Sequence, residues 1–171
     1  MTIAQLVLAE FEPQAAATKR FLERLPEDKL TWKPHEKSMT AGQLAYHLAA
    51  VPGNVVRAIQ NPNAQAPKFR LFQPSTCAEV LTTLGESVAT VQAVLPSFDD
   101  TAMNDTWRLH AGEQVVLAVP RKQFLRDIML NHWYQHRGQF SVYLRLLDIP
   151  VPCTWGPSAD ETPAPPPRQE A

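Results

Sequence analysis

Cysteine is scarce. The chain of 171 residues has two, Cys77 and Cys153, and they form no Cys-x-x-Cys pair. A thiolate zinc finger and a disulfide scaffold are thereby excluded, and the usage fits a reducing cytoplasm. An excess of positive charge is also missing: 16 Lys+Arg face 17 Asp+Glu, for a formal net charge of −1. No surplus exists to neutralise a phosphate backbone, so no nucleic-acid partner is expected. No apolar run reaches the roughly 18 residues of a membrane span, so no membrane association is expected either. The start of the chain has no basic flank, and Glu10 breaks its short apolar stretch, which argues against a secretory signal. What remains is an ordinary globular balance, 44% hydrophobic and 19% charged. The length suits one domain of about 150 residues and is enough to bury a sizeable core.

Prolines divide the chain into four segments with helical periodicity. Residues 2–25 carry Ile3, Leu6, Val7, Ala15, Thr18, Leu22 and Leu25 on one face, behind a Thr2/Gln5 capping box. Pro13 is expected to kink or interrupt this helix, and Pro26 ends it. The second helix starts near Ser38 or Thr40, where Thr40 and Gln43 repeat the box. It aligns Leu44, Leu48, Val51, Val55 and Ile59, with a bend at Pro52. Residues 61–75 hold three prolines and no period, and read as a loop. Thr76 with Glu79 opens a third helix over 76–95, along Val80, Leu84, Val88, Val91 and Leu95. Residues 102–119 read as a β-hairpin turning at Ala111-Gly112, or else as an irregular loop. Pro120 suits a first helical position, and a fourth helix follows over 121–147. The expected architecture is all-α: a four-helix bundle over 1–150, with a short hairpin between helices 3 and 4. Residues 151–171 form a proline-rich C-terminal segment, its last ten residues a mobile tail.

Five histidines stand at 35, 47, 110, 132 and 136. On a helical wheel His132 and His136 lie about 40° apart and about 6 Å along the axis, a spacing at which two imidazoles can hold one ion. Both fall in the stripe of Leu125, Ile128, Met129, Tyr143, Leu146 and Leu147, opposite Asp127, Tyr134, Ser141 and Arg145. His47 shares the line of Leu44, Leu48 and Val51. Three imidazoles thus enter the core from two helices. Neutral imidazole is costly to bury unsatisfied, and a divalent metal satisfies three at once. Three histidines also leave coordination positions open for water or substrate, as in a catalytic site. His35, in a loop, and His110, at a turn, read as solvated surface residues.

Further along, the stretch TWKPHEKSMTAGQLAYHLA, the later NHWYQHRGQFSVYLRLLDIPVP and the closing WGPSADE together resemble the DinB/YfiT-like family. The resemblance runs from the first helix to about Glu161. It implies an up-down-down-up bundle with a long crossover, and a three-histidine metal site that maps onto His47, His132 and His136. It also implies one divalent ion, nickel or zinc, and a homodimer. Characterised relatives include enzymes that transfer low-molecular-weight thiols such as bacillithiol, related mycothiol-dependent isomerases and some hydrolases, and many others have no known activity.

The resulting expectation is a cytoplasmic metal-dependent protein that activates a thiol or water against a small-molecule electrophile. A neutral histidine set leaves the ion its full charge, which lowers the pKa of a bound thiol or water. Hydrolysis wants a carboxylate base nearby, and no Asp or Glu lies on the inward face of the fourth helix. Gln43, one turn before His47, and Gln139, three residues after His136, are candidates to orient a ligand. Arg137 is expected to point away from the histidines, toward the tail or a partner chain. Trp32, Trp133 and Tyr134 should pack between helices or subunits, and Trp155 should fold back over the bundle. Cys77 and Cys153 read as plain thiols. Specificity is expected in the loops at 26–37, 61–75 and 96–120. The competing readings are a non-catalytic metal-binding bundle, as sensor or interaction module, and a metal-free bundle with core histidines.

Overall fold

The computed structural model describes residues 1–68 and 70–162. Helix α1 spans Ile3–Leu22, α2 Ala41–Ile59 and α3 Cys77–Val94. The last helical segment comprises α5, Arg121–Phe124, a π-helical stretch, Leu125–Asn131, and α6, His132–Leu146. The capping residues act as expected. The Thr2 and Thr40 side chains accept from the N–H of Gln5 and Gln43, whose side chains accept in return from the cap N–H. Each box satisfies two otherwise orphaned donors.

The long helices form a bundle in which α1 and α2 each pack on both α3 and α6. Pro13 does not interrupt α1, and α2 likewise continues through Pro52. A proline costs a helix one backbone bond, and in α2 the next residue gains another partner: the Gly53 N–H donates to Ser87 Oγ of α3 at 2.6 Å. A Cβ at Gly53 would lie 2.8 Å from that oxygen, so the closeness of α2 to α3 there requires glycine.

A three-stranded sheet stands at one end, ordered β1-β2-β3. Strands β2, Thr106–Ala111, and β3, Gln114–Pro120, are the expected hairpin. Its turn is Gly112-Glu113, one residue later than predicted, with Gly112 at φ +63°. Two expectations are corrected. The presumed loop 61–75 contributes β1, Asn63–Gln65, which pairs in parallel with Arg108–His110. Residues 100–104, partly counted into the hairpin, form a short helix, α4, capped by Asp99. The sheet also closes the C-terminus of α2. Trp107 donates from Nε1 to the carbonyls of Ala58 and Asn61, and the buried Arg121 donates from Nε to Ile59 O. These bonds occupy carbonyls that a helix end leaves open.

The closing segment is tied down by charge. Glu161 accepts from Arg20 and Arg24 of α1 and from the Cys153 N–H, while Arg145 of α6 pairs with Asp160. Trp155 reaches back to Gln14 of α1. Residues from 163 onward, where the mobile tail was expected, lie outside the described residues. Glu161→Ala should free the segment after α6 to a nonspecific protease several times faster, with the melting temperature of the bundle little changed. Equal cleavage of variant and parent would show that these ion pairs do not hold it.

No helix among the described residues is long and apolar enough to cross a membrane.

Candidate metal centre

His47 projects from the middle of α2, and His132 and His136 from the start of α6. Their ligating nitrogens all lie within 4.8 Å of one another, and among the described residues this is the only such group of three. The Nε2 atoms of His47 and His132 are 3.0 Å apart. The three rings stand nearly perpendicular to one another, with centroids 4.3 to 5.3 Å apart. Nitrogens around a tetrahedral ion at about 2.0–2.1 Å would be spaced by about 3.3 Å, so the donor set fits a transition-metal ion. His136 Nδ1–H donates to Gln139 Oε1 at 2.8 Å. That bond fixes the tautomer and leaves Nε2 as the lone-pair donor, the arrangement that orients metal-binding histidines. Gln139 therefore has its expected place. Gln43 lines the pocket beside His47, and its Oε1 accepts from the Thr40 N–H in the cap.

The approach to His132 is unusual. A seven-residue π-helical stretch, Leu125–Asn131, ends immediately before it. Each π turn carries one more residue than an α turn, so a 100° wheel run through it loses phase by about one residue. The structure shows that offset. In α6 the buried line is Trp133, Arg137, Phe140 and Leu144, whereas Leu146, placed inward by the wheel, is 57% exposed. The histidines consequently stand at the edge of the buried face: His136 is buried and His132 half-buried. Of the three histidines, His47 is the one that lines a pocket.

Arg137 is the main correction here. It points into the bundle, where Nη1 donates to Gln14 O and Thr18 Oγ1, and its guanidinium lies 5.4 Å from the Tyr134 ring. Tyr134 lies opposite the stripe of the wheel yet packs between helices as expected: it is half-buried and donates to Glu10 of α1. Trp133 packs as expected, stacked on Phe11 with Nε1 donating to Leu48 O. Trp32 meets Tyr143 edge-on. His35 is exposed and accepts from the Lys37 N–H. His110 departs from its surface reading: it is half-buried, and its Nε2 is buried with no hydrogen-bond partner among the described residues. The Cys77 thiol donates to Leu25 O, and burial pushes its pKa up, as for an unreactive thiol.

Burial, with His136 and His132 beside it, pushes the His47 pKa down to about 4. His132 shifts the same way, through burial and His136. Both imidazoles are thus neutral and able to ligate at neutral pH. In the metal-free chain a folded pKa below the unfolded value of about 6.5 favours the neutral form. That contribution to stability is complete above about pH 6.5 and is lost as pH falls from there toward 4. Chelator-treated protein should therefore melt progressively lower between pH 6.5 and 4, and His47→Gln should show a smaller fall. Identical pH profiles for the two would contradict the assignment.

His47 also lines a pocket of about 290 Å³ between α2 and the segment 67–72. Tyr46, Ala50 and Val51 line it from α2, and Lys68, Arg70 and Phe72 from the segment. Sequence reasoning placed specificity in this loop without identifying a residue. The available signal was two cations alternating with apolar side chains in KFRLF.

A helical bundle with three converging imidazoles beside an open pocket defines a class of histidine-lined proteins able to hold a metal ion. Within it, the chain belongs to the DinB superfamily, whose model matches residues 10–140. It is 26% identical over 155 residues to the uncharacterized protein YrdA of Bacillus subtilis, covering 90% of this chain and 89% of that one. Its fold is similar to that of a DinB-like protein from Bacillus cereus, with a TM-score of 0.71 at 18% identity, covering 87% of this chain and 95% of the other. The DinB-like protein YjoA of Bacillus subtilis gives 0.67 at 18% identity over 87% and 97%.

Proposed function

We propose that the chain binds one divalent transition metal, nickel or zinc, through His47, His132 and His136. We further propose that it is an enzyme activating a low-molecular-weight thiol for transfer to a small electrophile. The observation that carries this reading is the three-imidazole group with one member, His47, on the wall of a pocket. When bound, a dication on neutral ligands supplies charge that lowers the pKa of a thiol or water and stabilises the anion.

The chain's own residues divide the remaining work. Gln139 holds the His136 ring and its tautomer. His47 stands on the pocket wall where a small molecule can reach it, while Tyr46, Val51 and Phe72 give the pocket an apolar lining. Among the described residues no Asp, Glu or Cys joins the histidine group. Hydrolysis would call for a general base there, and this favours thiol over water activation.

Gln139→Ala should weaken metal binding by about 10- to 100-fold, as loss of a histidine-orienting partner does, with the fold unchanged. Unaltered affinity would remove Gln139 from the account. The activity itself is tested by incubating nickel- or zinc-loaded protein with small thiols and a chromogenic electrophile. Turnover abolished by chelator and by His132→Ala is the expected result. Hydrolysis of ester or amide substrates without thiol consumption would favour water activation, and metal binding with neither activity would favour a sensor or interaction module.

A further inference from the structure

The pocket beside His47 carries charge of one sign. Among the described residues, Lys68 and Arg70 are the charged side chains that line it at neutral pH. Among the described residues neither has a hydrogen bond or ion pair, in contrast to Arg20, Arg24, Arg126 and Arg145, each held by a carboxylate. The chain as a whole has a net charge of −1, so two unmatched cations at one rim do not reflect a general basic excess. In the same pocket the Tyr46 and Phe72 rings meet with centroids 4.4 Å apart, and Phe72 remains 46% exposed. The volume is near the lower end of small-ligand pockets, about 300 Å³.

We propose that this pocket is an anion-selective subsite, in which Lys68 and Arg70 receive the carboxylate or phosphate of a small organic ligand whose apolar part lies along Tyr46 and Phe72. The inference deepens the proposed function and rests on it for what the ligand does next: a molecule seated here lies against His47, so the subsite would select thiols or electrophiles that carry an anionic group. Exposed ion pairs are individually weak and screened by salt. Two acting together give about five- to tenfold discrimination, which is selectivity without tight retention.

The test is a ligand-observed NMR titration of metal-loaded and EDTA-treated protein with four phenyl-bearing probes: 3-phenylpropionate, phenyl phosphate, neutral 3-phenylpropanol and cationic 3-phenylpropylamine. Both anions should bind about five- to tenfold tighter than the alcohol at low salt, in both preparations, with the amine weakest. If only one anion is favoured, the ligand's head group is thereby identified as carboxylate or phosphate. Lys68→Glu/Arg70→Glu should reverse the order in favour of the amine, and the single Gln variants should each lose part of the preference. Equal binding of all four probes, or an order unchanged in the double variant, would overturn the subsite. So would a preference confined to metal-loaded protein, which would place the anion on the metal and leave the metal reading standing. A preference that persists in a protein that never takes up metal would support the subsite and sink the metal reading.

Discussion

His47→Ala should lower affinity for zinc or nickel by more than about a hundredfold while leaving the fold intact. The magnitude follows from sharing the roughly 10–16 kcal/mol of a four-ligand zinc site among its ligands, near 3 kcal/mol each, where 1.4 kcal/mol is tenfold. The fold should survive because His47 is half-buried at the edge of the bundle, and because alanine has the best helix propensity. Competition against a chelating dye reads the affinity, and circular dichroism with thermal melting reads the fold. Affinity within threefold of the parent would show that His47 is not a ligand. A pair of histidines four apart in α6 would then be the whole site.

Trp133→Ala should have the largest effect on stability. Its ring is 1% exposed, stacks on Phe11 at 5.4 Å and donates to Leu48 O at 2.8 Å. It thus joins α6 to both α1 and α2, beside His132 on one helix and opposite the neighbour of His47 on the other. Truncating a buried aromatic to alanine costs about 3–5 kcal/mol. At about 2–4 °C per kcal/mol for a chain of this size, the melting temperature should fall by on the order of 10 °C. Trp133→Phe keeps most of the volume and loses the hydrogen bond, so it should cost about 1–2 kcal/mol. Because the same contact fixes the register of α6 on α2, the alanine variant should also bind metal more weakly. A loss of stability with metal affinity unchanged would separate the core from the site.

The fold was largely legible because the helices follow local rules. The Thr2 and Thr40 boxes, the Thr76 cap and the apolar lines of α2 and α3 all depend on residues within a turn or two of each other. What failed depended on distant partners or on backbone irregularity. Strand β1 exists only because β2, more than forty residues later, offers it an edge. Arg137 looks like a surface residue until the π-helical stretch before His132 sets back the phase of α6 and turns it inward.

The same irregularity left the convergence of the histidines untouched. His132 and His136 lie on the same side of that stretch, so their mutual spacing is an α-helical one whatever precedes them. His47 lies on a separate, regular helix. Their convergence was legible, and their position at the rim of the core was not. Lys68 and Arg70 were invisible for a different reason: a loop has no period from which to infer a direction.

The most direct measurement is elemental analysis of untagged protein, wild type beside His136→Ala. The account predicts about one divalent transition-metal ion per chain in the wild type and its loss in the variant. No metal in either, even after incubation with zinc or nickel, would contradict it and return the three histidines to the role of packed core residues.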